Sequence, residues 1–363
     1  MKWLKDAFDQ LRPSFEEGGK LESMKAVFDA TENFFFAPDA SATTAPHVRD
    51  PLDLKRYMSM VILALLPCTL AGIYFFGLRV LLVIAVSYAA GGAVEVLFAM
   101  ARDEEITEGF LVTGLIFPLI LPPGLPLWMV AMGVAFGVMV GKELFGGTGR
   151  NIFNPALLGR VFLALSYPAA MTKGTWFKPV AGGAGRLFEY VTSAQVDAVS
   201  AATPLGAAKQ GNWAAVSDLL VGNVSGSIGE TSALLVILGG VFLLATRVAN
   251  WRTVVGVLGS FAAAGFLLQS SAPARFGPPG WHMLAGGLLF GTFFMATDPV
   301  TSPVTSGGKW AYGVLIGVVT LLIRNLTGYV EGVMFAILLG NIFAPILDEA
   351  VFRLRHRRLL HEA

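Results

Sequence analysis

The sequence predicts an all-α polytopic membrane protein with about ten transmembrane segments in two inverted five-helix repeats. Hydrophobic residues make up 55% of the 363 positions and charged residues 14%, and the mean hydropathy is +0.65. Such a chain has too little polar surface to cover a soluble globule. Its apolar residues fall in runs on both sides of one long polar gap, and short runs broken by proline occupy corresponding places in the two halves.

The first half of the predicted bundle follows a charged arm. Residues 1–56 contain no long apolar run, so we interpret them as a cytoplasmic N-terminal arm and not as a signal peptide. The first five-helix half covers residues 57–170. Its apolar segments lie at about 57–76, 80–100, 109–121, 126–141 and 156–170. The third ends at Pro122-Pro123 and is shorter than the about 20 residues that a crossing needs.

The second half repeats this pattern after a polar loop. Residues 171–230 form the loop, residues 231–347 the second five-helix half and residues 348–363 a basic tail. The apolar segments of this half lie at about 231–246, 253–270, 281–296, 311–323 and 330–347. Lysine and arginine concentrate in the alternate loops that share a side with the arm. Both termini are therefore predicted on the cytoplasmic side, and the polar loop on the opposite side.

Two local matches relate the halves. Gly114–Phe117 matches Gly287–Phe290, and Ala156–Phe162 matches Ile337–Phe343. Because each half has an odd number of segments, the halves are inverted relative to each other. Paired broken helices in inverted repeats indicate a binding site near the membrane midplane. Chance similarity between apolar stretches is the alternative.

Four acidic residues are candidates for an ion path. Glu95 and Asp298 lie at membrane depth, where a charge is costly and indicates a cavity or a partner. We interpret Glu95 as a cation ligand or a proton carrier. Glu143 and Asp348 lie at predicted helix ends near the inner surface. For these two, a solvated ion pair with a neighbouring lysine or arginine is an equal alternative.

A glycine-rich stretch precedes the fifth segment. Residues 146–151 follow no strand, and the chain has no P-loop sequence, so we expect no site for NADH or ATP. The amides of Asn151 and Asn154 can both donate to and accept from a flavin ring or a quinone carbonyl. A tight turn capped by Asn154 is the alternative. The single Cys68 and the scattered histidines supply no metal site, and a net charge of +1 argues against nucleic acid.

Thr203 is the candidate acceptor for a covalently attached group. Pro204 biases Thr203 toward an extended conformation, and the small residues 200–202 leave the backbone around its hydroxyl uncluttered. An ordinary solvated loop is the alternative.

Several ordered motifs together carry a resemblance to a known family. They are His47-Val-Arg-Asp-Pro-Leu-Asp-Leu-Lys-Arg56, Gly91-Gly92 with Glu95, Phe145-Gly-Gly-Thr-Gly-Arg-Asn-Ile-Phe-Asn-Pro-Ala156, Ser200-Ala-Ala-Thr203, Gly226-Ser-Ile-Gly-Glu230 and Met295-Ala-Thr-Asp-Pro299. Over nearly its whole length the chain resembles the family of B-type subunits of the sodium-translocating NADH:quinone reductase (the Nqr complex). The D-type subunits of the Rnf complex are the nearest related family.

The resemblance implies specific flavin sites. It implies an FMN joined through its phosphate to the hydroxyl of Thr203, with Asp197 and Ser200 as further parts of the motif that a flavin transferase recognises. It also implies a non-covalent riboflavin near the inner surface, at Asn151 and Asn154. The usual motif has glycine where this chain has alanine at position 201, and the loop between the first two segments is shorter than in other members.

The resemblance also implies a quinone site, an ion path and a set of partners. Gly91 and Gly92 match the quinone site, and Glu95 and Asp348 match acids linked to sodium uptake. The implied protein is part of a complex in the bacterial inner membrane and passes electrons to ubiquinone, coupled to Na⁺ translocation. Its implied partners are an NADH-oxidising flavoprotein and iron–sulfur subunit, a second FMN-carrying subunit and small membrane subunits. The chain alone is expected not to oxidise NADH, and its Thr203 loop is expected in the periplasm.

Two other functions are compatible with parts of the sequence. One is the function of the D-type Rnf subunits, with ferredoxin and NAD as electron partners of the complex. The other is a flavin-free channel or secondary transporter, which inverted halves and broken helices would suit equally well.

Overall fold

The computed structural model describes residues 2–16 with single positions at 19, 21, 25 and 28, residues 54–102, residues 109–172 with 176, residues 203–271 and residues 277–362. Every regular element within those ranges is helical. The arm contributes helix α1, Lys2–Leu11. The first half contains α2 (Leu54–Phe76), α3 (Arg79–Arg102), α4 (Gly109–Leu119), α5 (Leu127–Gly141), α6 (Pro155–Ser166) and α7 (Pro168–Thr172).

Two short helices and the second half follow. The short helices are α8 (Pro204–Ala208) and α9 (Val216–Val221). The second half contains α10 (Ala233–Ala245), α11 (Trp251–Ser271), α12 (Pro279–Leu284), α13 (Leu288–Phe290), α14 (Ser306–Leu326) and α15 (Val333–Glu362). A π-helical turn, Gly291–Met295, continues α13.

The helices are those of a membrane protein, as predicted. Within the described ranges, α2, α3, α5, α11, α14 and α15 are long and apolar enough to cross a bilayer. Helices α4, α6 and α10 are apolar but shorter. Many large apolar side chains are exposed on the outside of the bundle, as a lipid-facing surface requires. The predicted all-α membrane class is thus confirmed, whereas the count of about ten crossings stays a prediction.

The helix contacts follow the same order in both halves. In the first half, α3 packs on α4 and α5, α5 packs on α6, and α2 packs on α4. In the second half, α11 packs on α12 and α14, α14 packs on α15, and α10 packs on α13. The halves meet where α2 contacts α10 and where α6 contacts α15. This order of contacts is compatible with the predicted repeat, in which α4 and α13 would be equivalent, and the repeat stays a prediction.

Three predicted segments have different bounds in the structure. The fifth is divided at Tyr167, because Pro168 disfavours a helical conformation at the residue before it. The eighth, predicted at 281–296, is divided at Gly286, whose φ of +70° is a left-handed conformation that ends α12. The last runs on to Glu362, so the basic tail continues helix α15 beyond residue 347.

The polar loop is attached to the second half by a small apolar cluster. Leu205 and Ala208 of α8 pack with Leu219 of α9 and Trp281 of α12. The indole Nε1 of Trp281 donates a hydrogen bond of 2.9 Å to the carbonyl oxygen of Ala214. These contacts fix the start of α8, and with it Thr203, relative to the membrane helices.

Candidate functional site

A cavity of about 480 Å³ lies beside Thr203. We call it the outer cavity because the sequence predicts Thr203 on the outer side of the membrane. This volume is within the range of small-molecule sites, and most of the wall is apolar. The wall comes from α6, the start of α8, the turn before α10, and the segment between α14 and α15. The wall includes the aromatic side chains of Trp176, Tyr329 and Phe335.

Thr203 has the extended conformation that Pro204 predicts. Its φ of −63° and ψ of 155° make it the N-cap of α8, and its Oγ1 accepts a hydrogen bond of 3.3 Å from the amide of Gly206. The distance is long, so the hydroxyl is held loosely at the cavity wall. Asp197 and Ser200, predicted beside it, lie outside the described residues, as does Ala201.

A buried ion pair forms part of the wall of this outer cavity. The Arg160 Nη1 atom of α6 donates a hydrogen bond of 3.0 Å to Glu230 Oε1, and the two side chains are 4% and 6% exposed. The Arg160 Nε atom has no hydrogen-bond partner within the described chain. Sequence analysis did not select either residue as a candidate. The available signal was a basic residue within an apolar segment, which is costly unless it has a partner.

A second buried pair adjoins the same cavity, whose wall includes Glu331 but not its partner Arg324. The Arg324 Nη2 atom donates to Glu331 Oε1 at 2.7 Å, and Arg324 Nη1 donates to the His282 carbonyl at 2.6 Å. Glu331 Oε2 accepts a hydrogen bond of 2.9 Å from the amide of Gly287. Burial alone raises the pKa of Glu331, but the Arg324 guanidinium and these hydrogen bonds outweigh burial and hold the pKa below its ordinary value. This pair therefore anchors the break between α12 and α13.

Asn151 and Asn154 both line a smaller cavity of about 80 Å³. We call it the inner cavity because the sequence predicts these residues near the inner surface. Asn154 Oδ1 accepts hydrogen bonds from the amides of Ala156 and Leu157, at 3.1 and 3.4 Å, and so caps α6. The Asn151 amide donates to the Phe153 carbonyl at 3.3 Å. The capping role considered for Asn154 is thus present, and its amide nitrogen is the part left for a ligand.

Glu95 belongs to a cluster of four charged residues, of which Glu95, Lys142 and Glu143 are buried and Arg102 is partly exposed. The Lys142 Nζ atom is 2.8 Å from Glu95 Oε1 and 3.9 Å from Glu143 Oε1, and Arg102 Nη1 is 3.2 Å from Glu143 Oε2. Glu95 Oε2 has no hydrogen-bond partner in the described part of the chain. The alternative of a solvated pair at Glu143 is wrong, because Glu143 and Lys142 are both buried. Lys142 also lies at the wall of the inner cavity.

Gly91 and Gly92 allow a ring to approach α3 closely. A Cβ atom at position 91 would lie 2.7 Å from Phe110 and 2.9 Å from Val134, whereas one at position 92 would lie 3.3 Å from Phe110. Neither glycine lies at the wall of the two cavities described above. The packing of Phe110 thus gives at least Gly91 a structural role beside the predicted quinone role.

Asp348 and Asp298 both accept hydrogen bonds from nearby loops. Asp348 Oδ2 accepts from the Val304 amide at 2.7 Å, and its Oδ1 accepts from the Thr305 amide at 2.9 Å and from the Thr305 hydroxyl. It therefore ties α15 to the start of α14. Asp298 accepts from Thr301 Oγ1 at 2.9 Å and lies at the wall of the inner cavity.

Comparison with known proteins assigns the chain to a family. The model of the NQR2, RnfD, RnfE family matches residues 41–355. The chain is 38% identical to the B-type subunit of the Na(+)-translocating NADH-quinone reductase of Ectopseudomonas mendocina, and 38% identical to that of Azotobacter vinelandii, in both cases over 97% of each chain. The corresponding protein of Klebsiella pneumoniae strain 342 is 39% identical over 98% of each chain. The chain therefore belongs to the NQR2, RnfD, RnfE family.

Proposed function

We propose that this chain is a membrane subunit of a Na⁺-translocating NADH:quinone reductase and that it carries an FMN covalently bound to Thr203. The names of the relatives and their coverage of nearly the whole chain support the subunit assignment. The observation that carries the flavin assignment is the position of Thr203 at the wall of the 480 Å³ outer cavity. In this proposal NADH is oxidised on another subunit, because residues 146–151 lack the features of a dinucleotide site.

The outer cavity fits a flavin in volume and in chemistry. Its volume of about 480 Å³ lies within the range of sites for drug-sized ligands. The wall is mainly apolar, as a planar ring system requires, and Arg160 offers N–H donors at one place. Among the described contacts the Thr203 hydroxyl only accepts a hydrogen bond, the long one from the Gly206 amide, so the loss of its proton on esterification breaks no described hydrogen bond.

The residues around this cavity would have separate roles toward a bound flavin. When bound, the flavin would supply the capacity to accept and pass on electrons. Thr203 would hold it through its hydroxyl oxygen, and the α8 contacts with α9 and α12 would hold Thr203 in place. Trp176 and Tyr329 would limit the access of water. Arg160 would face any negative charge that develops inside the cavity.

The inner cavity does not fit riboflavin in the conformation described. Its volume of about 80 Å³ is below the about 300 Å³ at which ligand sites begin. Asn154 Oδ1 is also occupied as the cap of α6. No electron-transfer step is therefore assigned to riboflavin, which stays a prediction from the resemblance. Non-covalent flavin released from the purified protein by acid would support it, and loss of that flavin on Asn151→Ala would locate it.

We further propose Glu95, more than Asp348, as the residue where Na⁺ enters. Glu95 Oε2 is buried without a hydrogen-bond partner among the described residues, so one oxygen ligand is available. Both oxygens of Asp348 accept hydrogen bonds from the loop before α14. Negative charge that arrives in a bundle of low dielectric needs a counter-ion, which gives electron transfer a reason to draw in a cation. Quinone reduction near Gly91 and Gly92 is part of the same proposal and rests on the resemblance.

The arrangement of the chain in the membrane is also proposed. The equivalent helix contacts in the two halves support two five-helix repeats, and the distribution of lysine and arginine supports cytoplasmic termini with Thr203 in the periplasm. Labelling of single cysteines tests this arrangement. Trp213→Cys and Arg355→Cys, at two exposed positions, are made one at a time in the Cys68→Ala background and treated with a membrane-impermeant thiol reagent. Labelling of both positions from the same side would contradict it.

In-gel fluorescence tests the flavin assignment. The full chain is coexpressed with a flavin transferase, denatured, and examined on a gel under ultraviolet light. We expect fluorescence from the wild type, none from Thr203→Ala, and retained fluorescence from Thr327→Ala, a matched control outside the cavity wall. A non-fluorescent wild type would contradict covalent FMN. A wild-type chain without covalent flavin that takes up a solute in vesicles would instead favour the transporter alternative.

A further inference from the structure

We propose that Arg160 and Glu230 form a charge pair that sets the reduction potential of the group bound at Thr203, Arg160 raising it and Glu230 lowering it. The inference rests on the flavin function proposed above. It assigns to these two residues a role in tuning the cofactor that neither the sequence motifs nor the relatives' names assign.

The Arg160 guanidinium has N–H donors that no described residue accepts from. It is buried, and within the described chain one of its N–H groups, on Nη1, is bonded, to Glu230. Its Nε atom has no hydrogen-bond partner. Arginine has five N–H donors and keeps its charge in any protein environment. A buried donor without a partner is costly, so the Nε atom of an arginine at a cavity wall is a donor available to a ligand.

Arg324 differs from Arg160 in its place relative to the cavity. It is also buried and its Nε atom also has no hydrogen-bond partner among the described residues, but it donates both to Glu331 and to the His282 carbonyl, and Glu331 accepts in turn from Gly287. Glu331 is part of the wall of the outer cavity and Arg324 is not, whereas Arg160 and Glu230 both are. The Arg160 guanidinium is therefore the one that the wall presents to a ligand, while Arg324 joins elements of the fold.

The matching position in the second half of the chain carries no charge. The match of Ala156–Phe162 with Ile337–Phe343 places Asn341 at the position of Arg160. Asn341 is buried and donates a hydrogen bond of 3.2 Å to the Thr301 carbonyl. A neutral amide at this place on α15 is compatible with helix packing. The full charge on α6 is therefore not a requirement of the packing of these helices, and it occurs beside the outer cavity.

Reduction changes the charge of a flavin. Two electrons and one proton convert an oxidised flavin into a reduced form with one negative charge on the ring. A positive charge nearby stabilises that form and raises the reduction potential, and a negative charge lowers it. Glu230 holds the guanidinium in position and also offsets part of its field. The two residues thus act on the potential with opposite signs.

The test is a redox titration of the full chain, coexpressed with the flavin transferase and followed by flavin absorbance. We expect Arg160→Met to shift the midpoint potential to more negative values and Glu230→Gln to shift it to more positive values. The double variant should lie between the two single variants. Arg160→Lys keeps the charge and should lie closer to the wild type than Arg160→Met, which separates a role in the potential from a role in folding.

Matched controls come from the pair Arg353–Glu349, which is exposed on α15 with side chains 76% and 58% accessible. Arg353→Met and Glu349→Gln should leave the potential unchanged. Covalent fluorescence on a gel is measured for every variant. A wild type without covalent flavin would overturn both the proposed function and this inference. Flavin-loaded variants of Arg160 and Glu230 with unchanged potentials, or with shifts of the same sign, would overturn only the charge pair.

Discussion

The buried pair between Lys142 and Glu95 predicts an asymmetric response to mutation. The Nζ and Oε1 atoms are 2.8 Å apart, and the side chains are 4% and 6% exposed. Lys142→Met leaves the Glu95 carboxylate buried without any partner in the described chain, because its other oxygen is already unpartnered. Removal of one member of such a pair costs about 3–5 kcal/mol. We expect Lys142→Met to lower stability by that amount.

Replacement of Glu95, the other member of the pair, should lower stability less than replacement of Lys142. Glu95→Gln leaves the Lys142 ammonium with a second carboxylate, Glu143, at 3.9 Å. A weakened but surviving ion pair limits the loss to about 1–3 kcal/mol. The double variant removes both charges and should be more stable than Lys142→Met alone, since a neutral pair of similar size avoids the buried charge. The order of stability is therefore wild type, Glu95→Gln, the double variant and then Lys142→Met, with the two middle members close together.

Thermal unfolding in detergent, followed by tryptophan fluorescence, measures this order. Arg353→Met on the exposed part of α15 is the control and should leave the midpoint within error of the wild type. Sodium provides a second readout. If Glu95 binds Na⁺, sodium chloride should stabilise Lys142→Met more than potassium chloride of equal concentration, by mass action on the freed carboxylate. Equal losses for the two single variants would refute the assigned pairing.

Three further outcomes follow from the contacts. Gly91→Ala should lower stability by about 1–3 kcal/mol through overpacking against Phe110, and Gly92→Ala by less, as measured by the same unfolding midpoint. Asp348→Asn should lower stability by about 1–3 kcal/mol through loss of charged acceptors for the loop before α14. The pKa of Glu331 lies below its ordinary value of 4.5, so its stabilisation is present above that pH and is lost as the pH falls through the lower folded value. The unfolding midpoint of Glu331→Gln should therefore be lower than that of the wild type at pH 7 and depend less on pH in the acid range.

The helices were predictable because the apolar runs are long and because residues next to them in the sequence determine where they end. The bounds of α5 and α10 agree with the predicted segments within two residues. The break between α12 and α13 was not predictable as a break in the helix. It depends on the left-handed Gly286 and on Glu331, which binds the amide of Gly287 from 44 residues away. A contact of that separation leaves no periodic pattern in the local sequence.

The candidate site was likewise predictable in its local features and not in its long-range contacts. The extended conformation of Thr203 follows from Pro204, its immediate neighbour. The partner of Arg160 is 70 residues away in the chain, and nothing local identifies Glu230 as that partner. Glu95 was selected because it is an acid at membrane depth, but its pairing with Lys142 also required the packing of α3 on α5. Local chemistry was thus available from the sequence, and the pairing of charges was not.

Helix α6 contributes to the walls of both cavities, and its short length bears on the proposed function. Its first residues, Pro155 and Ala156, line the inner cavity, while Arg160 and Ala164 line the outer one. The helix has 12 residues, which corresponds to about 18 Å of rise. The hydrocarbon core of a bilayer is about 30 Å thick. A helix of this length therefore brings a ligand near Thr203 closer to the inner charge cluster than a full crossing would. In the proposed function, the shorter distance would strengthen the effect of charge in the outer cavity on an ion at Glu95.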